Sequence, residues 1–290
     1  MAFAVALTGD IGAGKSTLVS LWDAMGASII NADEVVSELW QNHEPLRNRA
    51  KERWGEDLFD KHGLLRRDVL CRRVFGNVRE YQELCGMVHP LVKEILEEAY
   101  RKSRGWFVAE IPLLFEGGVP WWVDTTVYVS SPFEERLKRN LERGKSREWF
   151  EMMESRLLSS EERASRARVL VENNASREIF AEKGRALGKH FRDMSSVVEM
   201  RWCCSSSEAM RKGRYVLENK GFGIFFRFEG GDSPGESCLS WMSLEKHFPC
   251  IKKILEEAGE EENSSFCRLW AVTPRRMNLE ALEKIVEVCD

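Results

Sequence analysis

The 290-residue chain predicts an α/β domain with a parallel sheet, followed by a smaller α+β domain. Three observations carry this. Short β-branched runs alternate with helical stretches up to about residue 190, a glycine-rich loop joins the first run to the first helix, and from Val197 onward strands come in pairs.

The first strand is the apolar run Phe3-Ala4-Val5-Ala6-Leu7. Directly after it comes Gly9-Asp10-Ile11-Gly12-Ala13-Gly14-Lys15-Ser16-Thr17, which fits G-x-x-x-x-G-K-[ST] in a strand-loop-helix context and reads as a phosphate-binding loop. Glycines let the backbone of Gly12, Ala13 and Gly14 close on phosphate oxygens. Lys15 supplies a point charge, Ser16 offers its hydroxyl to Mg²⁺, and the helix that starts through Thr17 turns its positive end to the same anion. Leu18, Leu21, Trp22 and Met25 form one apolar face of that helix, and Gly26 is its expected C′ residue.

Ala27 to Asn31 is the second strand, and Asp33 follows at its C-terminal end. In an open parallel sheet that edge binds ligands, although an N-cap is the commoner job for such an Asp. Residues 44 to 102 read as a basic helical insertion holding an anion, or as a solvated charged face, with Arg66, Arg67, Arg72 and Arg73. A separate helix is expected to open at His89-Pro90, proline in its first turn and His89 as a cap. Trp106 to Ile111, Thr125 to Val129 and Val169 to Asn173 are further strands. Between the last two, Arg136, Arg139, Arg143, Arg147 and Arg156 interleave with Glu134, Glu135 and Glu142, as in surface ion pairing.

The C-terminal part reads strand, helix, strand, turn (230 to 235), strand, helix, strand, helix. It is a β-α-β-β-α-β ferredoxin-like unit with one helix added, and His190 to Ser196 is the expected linker. Two domains are therefore expected, 1–190 and 197–290. The net charge of -4 gives no reason to expect nucleic acid or an anionic membrane as partner, and no apolar run approaches the length of a membrane span. The eight cysteines, in a chain without a recognisable export signal, read as reduced core thiols of a cytoplasmic protein. The apolar strand Gly223 to Phe228 is either an edge that pairs with a second copy, making a homo-oligomer, or a strand packed under helices.

Four features in order resemble dephospho-CoA kinase over residues 1 to about 188. They are the Ala6–Thr17 loop, Ala32-Asp33, His89-Pro90, and Glu110-Ile111-Pro112-Leu113-Leu114-Phe115-Glu116. The resemblance implies a P-loop kinase fold with a five-stranded parallel sheet, a helical acceptor-binding insertion and a lid. It implies transfer of the ATP γ-phosphoryl group, with Mg²⁺, to the 3′-hydroxyl of dephospho-CoA. Asp33 would then be the base near that hydroxyl, Arg67 and His89 acceptor-binding residues, and Arg143 a lid arginine over the phosphates, with Arg139 beside it. The chain departs from the family's pattern at Asn31, where Asp is common, and in the lid near Ser160 and Arg168, changes that bear on lid closure and turnover. The alternatives are another small-molecule P-loop kinase, or a nucleotide-sensing switch built on such a domain. The C-terminal segment resembles, in element order, the small ferredoxin-like CutA-type divalent-cation-tolerance family, and no ligand or metal function follows from that.

Overall fold

The structure is a computed structural model that describes residues 2–74, 76–230, 237–261, 267–272, 277 and 279–289. The chain divides into two compact units, one of Ala2–Ser103 with Phe107–Gly184, the other of Arg185–Asp290 with Arg104–Trp106.

In the first unit the strands β1 (Phe3–Gly9), β2 (Ser28–Asn31), β3 (Trp106–Glu110), β4 (Thr125–Ser130) and β5 (Val169–Glu172) form a five-stranded parallel sheet in the order β2-β3-β1-β4-β5. All seven residues of β1 are buried, which is why its sequence is a continuous apolar run rather than an alternating one. The strand ends at Gly9 (φ 151°), where a Cβ would lie 2.3 Å from the carbonyl oxygen of Val129, so only glycine lets β1 leave the sheet this close to β4.

Helix α1 (Lys15–Ala24) packs through Leu18 and Trp22. Gly26, at φ 95°, ends it as the pattern predicts. Helices α2 (Ala32–Asn42), α3 (Glu44–Trp54), α4 (Arg67–Val74) and α5 (Val78–Lys102) precede β3, and their buried faces join Phe107, Ala109 and Trp122 in one core. Between β4 and β5 the chain forms α6 (Phe133–Glu142), α7 (Arg147–Glu154) and α8 (Ser160–Arg166). The expected break at His89-Pro90 does not occur. Both residues sit inside α5, whose stripe Met87, Val88, Val92, Leu96 and Tyr100 is buried; this packing carries the helix across a proline that donates no hydrogen bond. His89 therefore caps nothing.

In the second unit β6 (Val197–Cys204), β7 (Ile224–Gly230), β8 (Ser237–Leu244) and β9 (Cys267–Val272) form an antiparallel sheet in the order β7-β8-β6-β9. With α10 (Ser207–Asn219) and α11 (Phe248–Glu261) as crossovers, this is the ferredoxin-like arrangement. Met200, Trp202, Cys204, Leu239 and Trp241 pack against Ala209, Met210, Leu217, Ile251 and Leu255 of these two helices. A last helix, α12 (Leu279–Cys289), buries Leu282, Ile285, Val286 and Cys289.

Two expectations are corrected here. The stretch 190–195, expected as a linker, is the end of α9 (Arg177–Ser195); Phe191 and Met194 are each 2% exposed, and a buried amphipathic face keeps those turns helical. The cysteines are not uniformly reduced core thiols. Cys203 and Cys238 face one another across β6 and β8 and are joined as a disulfide, whereas Cys71 and Cys250 are exposed. The expected 230–235 turn lies, beyond Gly230, outside the described residues. No helix among the described residues is long and apolar enough to cross a membrane.

Candidate active site

The glycine loop leaves β1 and enters α1 through Gly14, whose φ of 110° is left-handed. A Cβ there would lie 2.8 Å from Asn173 Nδ2 and 3.2 Å from the Phe180 ring. Those neighbours brace the loop from outside. Asn173 Nδ2 donates to the Ala13 carbonyl (2.8 Å), and Arg139 Nη1 donates to the Gly12 carbonyl (3.0 Å) and to Ser131 Oγ (3.1 Å). Carbonyls that would repel an anion are thereby tied down. Lys15 Nζ donates to the carbonyls of Gly9 (3.0 Å) and Asp10 (3.1 Å), folded back over the loop. Burial lowers its pKa, while Glu110, Asp10 and Asp33 act to raise it. Ser16 is exposed in the first turn of α1.

The second part of the site is the end of β2. Asn31 is the N-cap of α2: its Oδ1 accepts from the backbone N–H groups of Asp33 (2.8 Å) and Glu34 (3.3 Å). Its Nδ2 donates to Glu110 Oε2 (2.9 Å) at the paired end of β3. The capping role that competed for Asp33 thus falls to Asn31, and the Asp33 carboxylate is left for other work. Although the residue is exposed to solvent, protein crowded around the carboxyl raises its pKa, against the pull of Lys15 and Arg67. Glu110 is likewise raised, first by burial, with Lys15 opposing and Asp33 and Glu34 adding to the rise. One cation and two carboxylates therefore sense one another at the sheet's ligand edge.

Arg67 reaches this edge from α4: its Nη2 donates to Ser37 Oγ (2.8 Å), which donates to the Asp33 carbonyl (3.0 Å). Arg72 and Arg73 instead pair with Asp68 and Asp57 at the surface, as a solvated charged face would. His89 is half-buried on α5, and burial together with Lys93 lowers its pKa. Arg143 is exposed at the C-cap of α6, so of the two neighbouring arginines it is Arg139 that touches the loop. Surface pairing accounts for Arg147 with Glu151 and for Arg139 with Glu135, at 3.9 Å. It fails for Arg136, which is 4% exposed and pairs with Glu154, because its side of α6 faces the loop rather than water.

Glu110 was legible only as part of a motif, although its position was informative. It ends a buried strand at the same edge as Asp33, where an open parallel sheet binds ligands. Asn173, by contrast, acts through a contact between distant segments that no local pattern marks, and Arg139, expected only as the neighbour of Arg143, reaches the loop through a contact of the same kind.

A family model described as dephospho-CoA kinase matches residues 3–178. A dephospho-CoA kinase of Corynebacterium diphtheriae is 32% identical over 192 residues, covering 64% of this chain and 96% of that one. One of Deinococcus radiodurans is 36% identical over 179 residues, covering 60% and 85%. Among solved structures, dephospho-CoA kinase from Campylobacter jejuni superposes with a TM-score of 0.50 at 27% identity, covering 66% of this chain and 98% of its own. A structure from Thermus thermophilus gives a TM-score of 0.56 at 32% identity, covering 64% and 95%.

Proposed function

The chain belongs to the dephospho-CoA kinase family, and on that premise we propose how its residues carry the reaction. The reaction is transfer of the γ-phosphoryl group of ATP to the 3′-hydroxyl of dephospho-CoA, the last step of coenzyme A biosynthesis. Such transfers need placement of charge more than covalent chemistry. Gly12 to Thr17 hold the phosphates at the N-terminus of α1. Lys15 leaves the carbonyls of Gly9 and Asp10 to neutralise charge on the bridging oxygen. Asp33 orients the acceptor hydroxyl and takes its proton, and Arg67 and His89 bind the acceptor. Arg143 closes over the phosphates.

The residues present suit Mg²⁺: the exposed Ser16 hydroxyl and the carboxylates of Asp33 and Glu110 are hard oxygen donors. Ser16 is the residue we assign to hold the ion, which would supply neutralisation of phosphate charge.

One observation carries the assignment of roles, namely that Asn31 caps α2 and so leaves the Asp33 carboxylate free beside Lys15. The test is ATP consumption by purified protein with and without dephospho-CoA. Strict dependence on dephospho-CoA supports the reading. Equal turnover of other small-molecule acceptors points to another P-loop kinase, and nucleotide binding without any transfer points to a sensing switch.

We place the reaction in the cytoplasm, which cell fractionation tests. For the second unit we propose self-association of two copies through β7, the sheet's edge strand. Phe225 and Phe228 there are 43% and 50% exposed. Phe226 instead stacks on Trp241, so the two accounts of this strand divide it between them. A monomer by light scattering at high micromolar concentration rejects the association.

A further inference from the structure

The phosphate loop carries a carboxylate that the roles above leave unused. Asp10 is 1% exposed, and its Oδ1 accepts from Tyr128 Oη on β4, from Ser160 Oγ (2.8 Å) and from Arg163 Nη2 (2.9 Å), the last two on α8. Its Oδ2 lies 3.8 Å from Arg136 Nε on α6, and Arg136 Nη1 lies 2.8 Å from Glu154 Oε2 on α7. Arg136 and Arg163 are 4% and 1% exposed. Buried Asp10, Arg136 and Arg163, with the half-buried Glu154, therefore form a set of two guanidinium groups and two carboxylates, and Asp10 is its only member on the loop.

We propose that Asp10 is a positioning residue, which sets α6, α7 and α8, and the arginines they carry, against the phosphate loop in the geometry that phosphoryl transfer requires. Two further observations separate this from a purely stabilising ion pair. Arg163 has two nitrogens, Nε and Nη1, without a hydrogen-bond partner among the described residues, and its charge lowers the pKa of Lys15, so it stands within electrostatic reach of the phosphate-binding lysine. The Asp10 backbone is also part of the lysine's resting place, because its carbonyl accepts from Lys15 Nζ while its N–H donates to Val129 (3.0 Å). One residue thus fixes both the lysine and the helices around it. Without its charge, Arg136 keeps Glu154 but the buried Arg163 loses the carboxylate it pairs with, and the helices relieve that cost by moving outward to water.

The inference rests on the phosphoryl-transfer reading above, and its test reads nucleotide binding as well as turnover. Asp10→Asn keeps the shape and removes the charge. It is expected to lower kcat at least tenfold and to weaken binding of a non-hydrolysable ATP analogue at least fivefold by calorimetry. In the double variant Asp10→Asn/Arg163→Gln the charges balance again, so the melting temperature lost in the single variant returns, while kcat and analogue affinity stay low. Recovery of kcat together with melting temperature overturns the proposal, as does an Asp10→Asn enzyme within twofold of wild type in both kcat and affinity. Should Asp10→Asn not fold, Tyr128→Phe removes one donor to the carboxylate and keeps the ring. A fall in kcat of threefold or more in a stably folded protein supports positioning, and an unchanged kcat overturns it. A wild-type protein that binds the analogue without using dephospho-CoA defeats the functional reading alone, because the affinity arm still reads Asp10.

Discussion

Asp33→Asn separates a base from a cap more sharply in this protein than sequence alone allows, because the structure shows where the cap is. Asn31 already accepts from the N–H groups of Asp33 and Glu34, so the substitution removes no capping bond from α2. It removes a negative charge from the first turn, worth about 0.3–1 kcal/mol through the helix dipole. In the opposite direction, the raised pKa shows that the folded protein disfavours that charge. The net change in stability is therefore within about 1 kcal/mol, or roughly 2–4 °C in Tm for a unit of this size. Loss of a general base costs about 10²–10⁴ in rate, roughly 3–5 kcal/mol of the barrier. The companion is Asn31→Ala, which removes both capping bonds and the bond to Glu110 and is expected to cost about 1 kcal/mol or more. Calorimetric melting and a coupled ADP-release assay with dephospho-CoA read the two effects. If Asp33→Asn retains more than a tenth of wild-type kcat, or lowers Tm further than Asn31→Ala does, the division of labour is wrong.

Three further outcomes follow from the same geometry. Lys15→Ala is expected to leave a folded protein that has lost at least about a hundredfold in kcat/KM, roughly 3 kcal/mol; near-wild-type kinetics reject the loop assignment. Since burial raises both Asp33 and Glu110, kcat/KM for dephospho-CoA should fall on the acid side with an apparent pKa above the ordinary carboxylate range. The stability effect has the opposite sign. Between the ordinary and the raised pKa the folded state holds more protons than the unfolded one, so these two groups favour the fold less as pH rises through that window. An acid limb at the ordinary carboxylate value, or one that survives Asp33→Asn unchanged, refutes the assignment. A fragment 185–290 should melt cooperatively and at higher temperature than 197–290, because Phe191 and Met194 of α9 belong to the same compact unit as β6 to α12; equal melting of the two fragments counts against it.

The sequence by itself determined what depends on neighbours along the chain. The apolar run Phe3 to Leu7, the glycines of the loop and the placement of Lys15 and Ser16 are local requirements of strand, turn and helix N-terminus, and each is spelled by residues a few positions apart. The strand and helix order of the second unit was legible for the same reason, since period-2 and period-3.6 patterns persist over whole elements. Tertiary structure decided the rest. Whether Pro90 breaks a helix depended on the buried stripe from Met87 to Tyr100, whose packing outweighs one missing hydrogen bond. Which of Asn31 and Asp33 caps α2 depended on where β2 ends against Glu110 of β3. Most of all, the meaning of Asp10, Arg136 and Arg163 was invisible in one dimension. In sequence they are one loop carboxylate and two charged helix residues, ordinarily solvated; only the fold brings residues 126 and 153 positions from Asp10 onto it and removes the water, so that surface charges become a buried set whose members must neutralise one another.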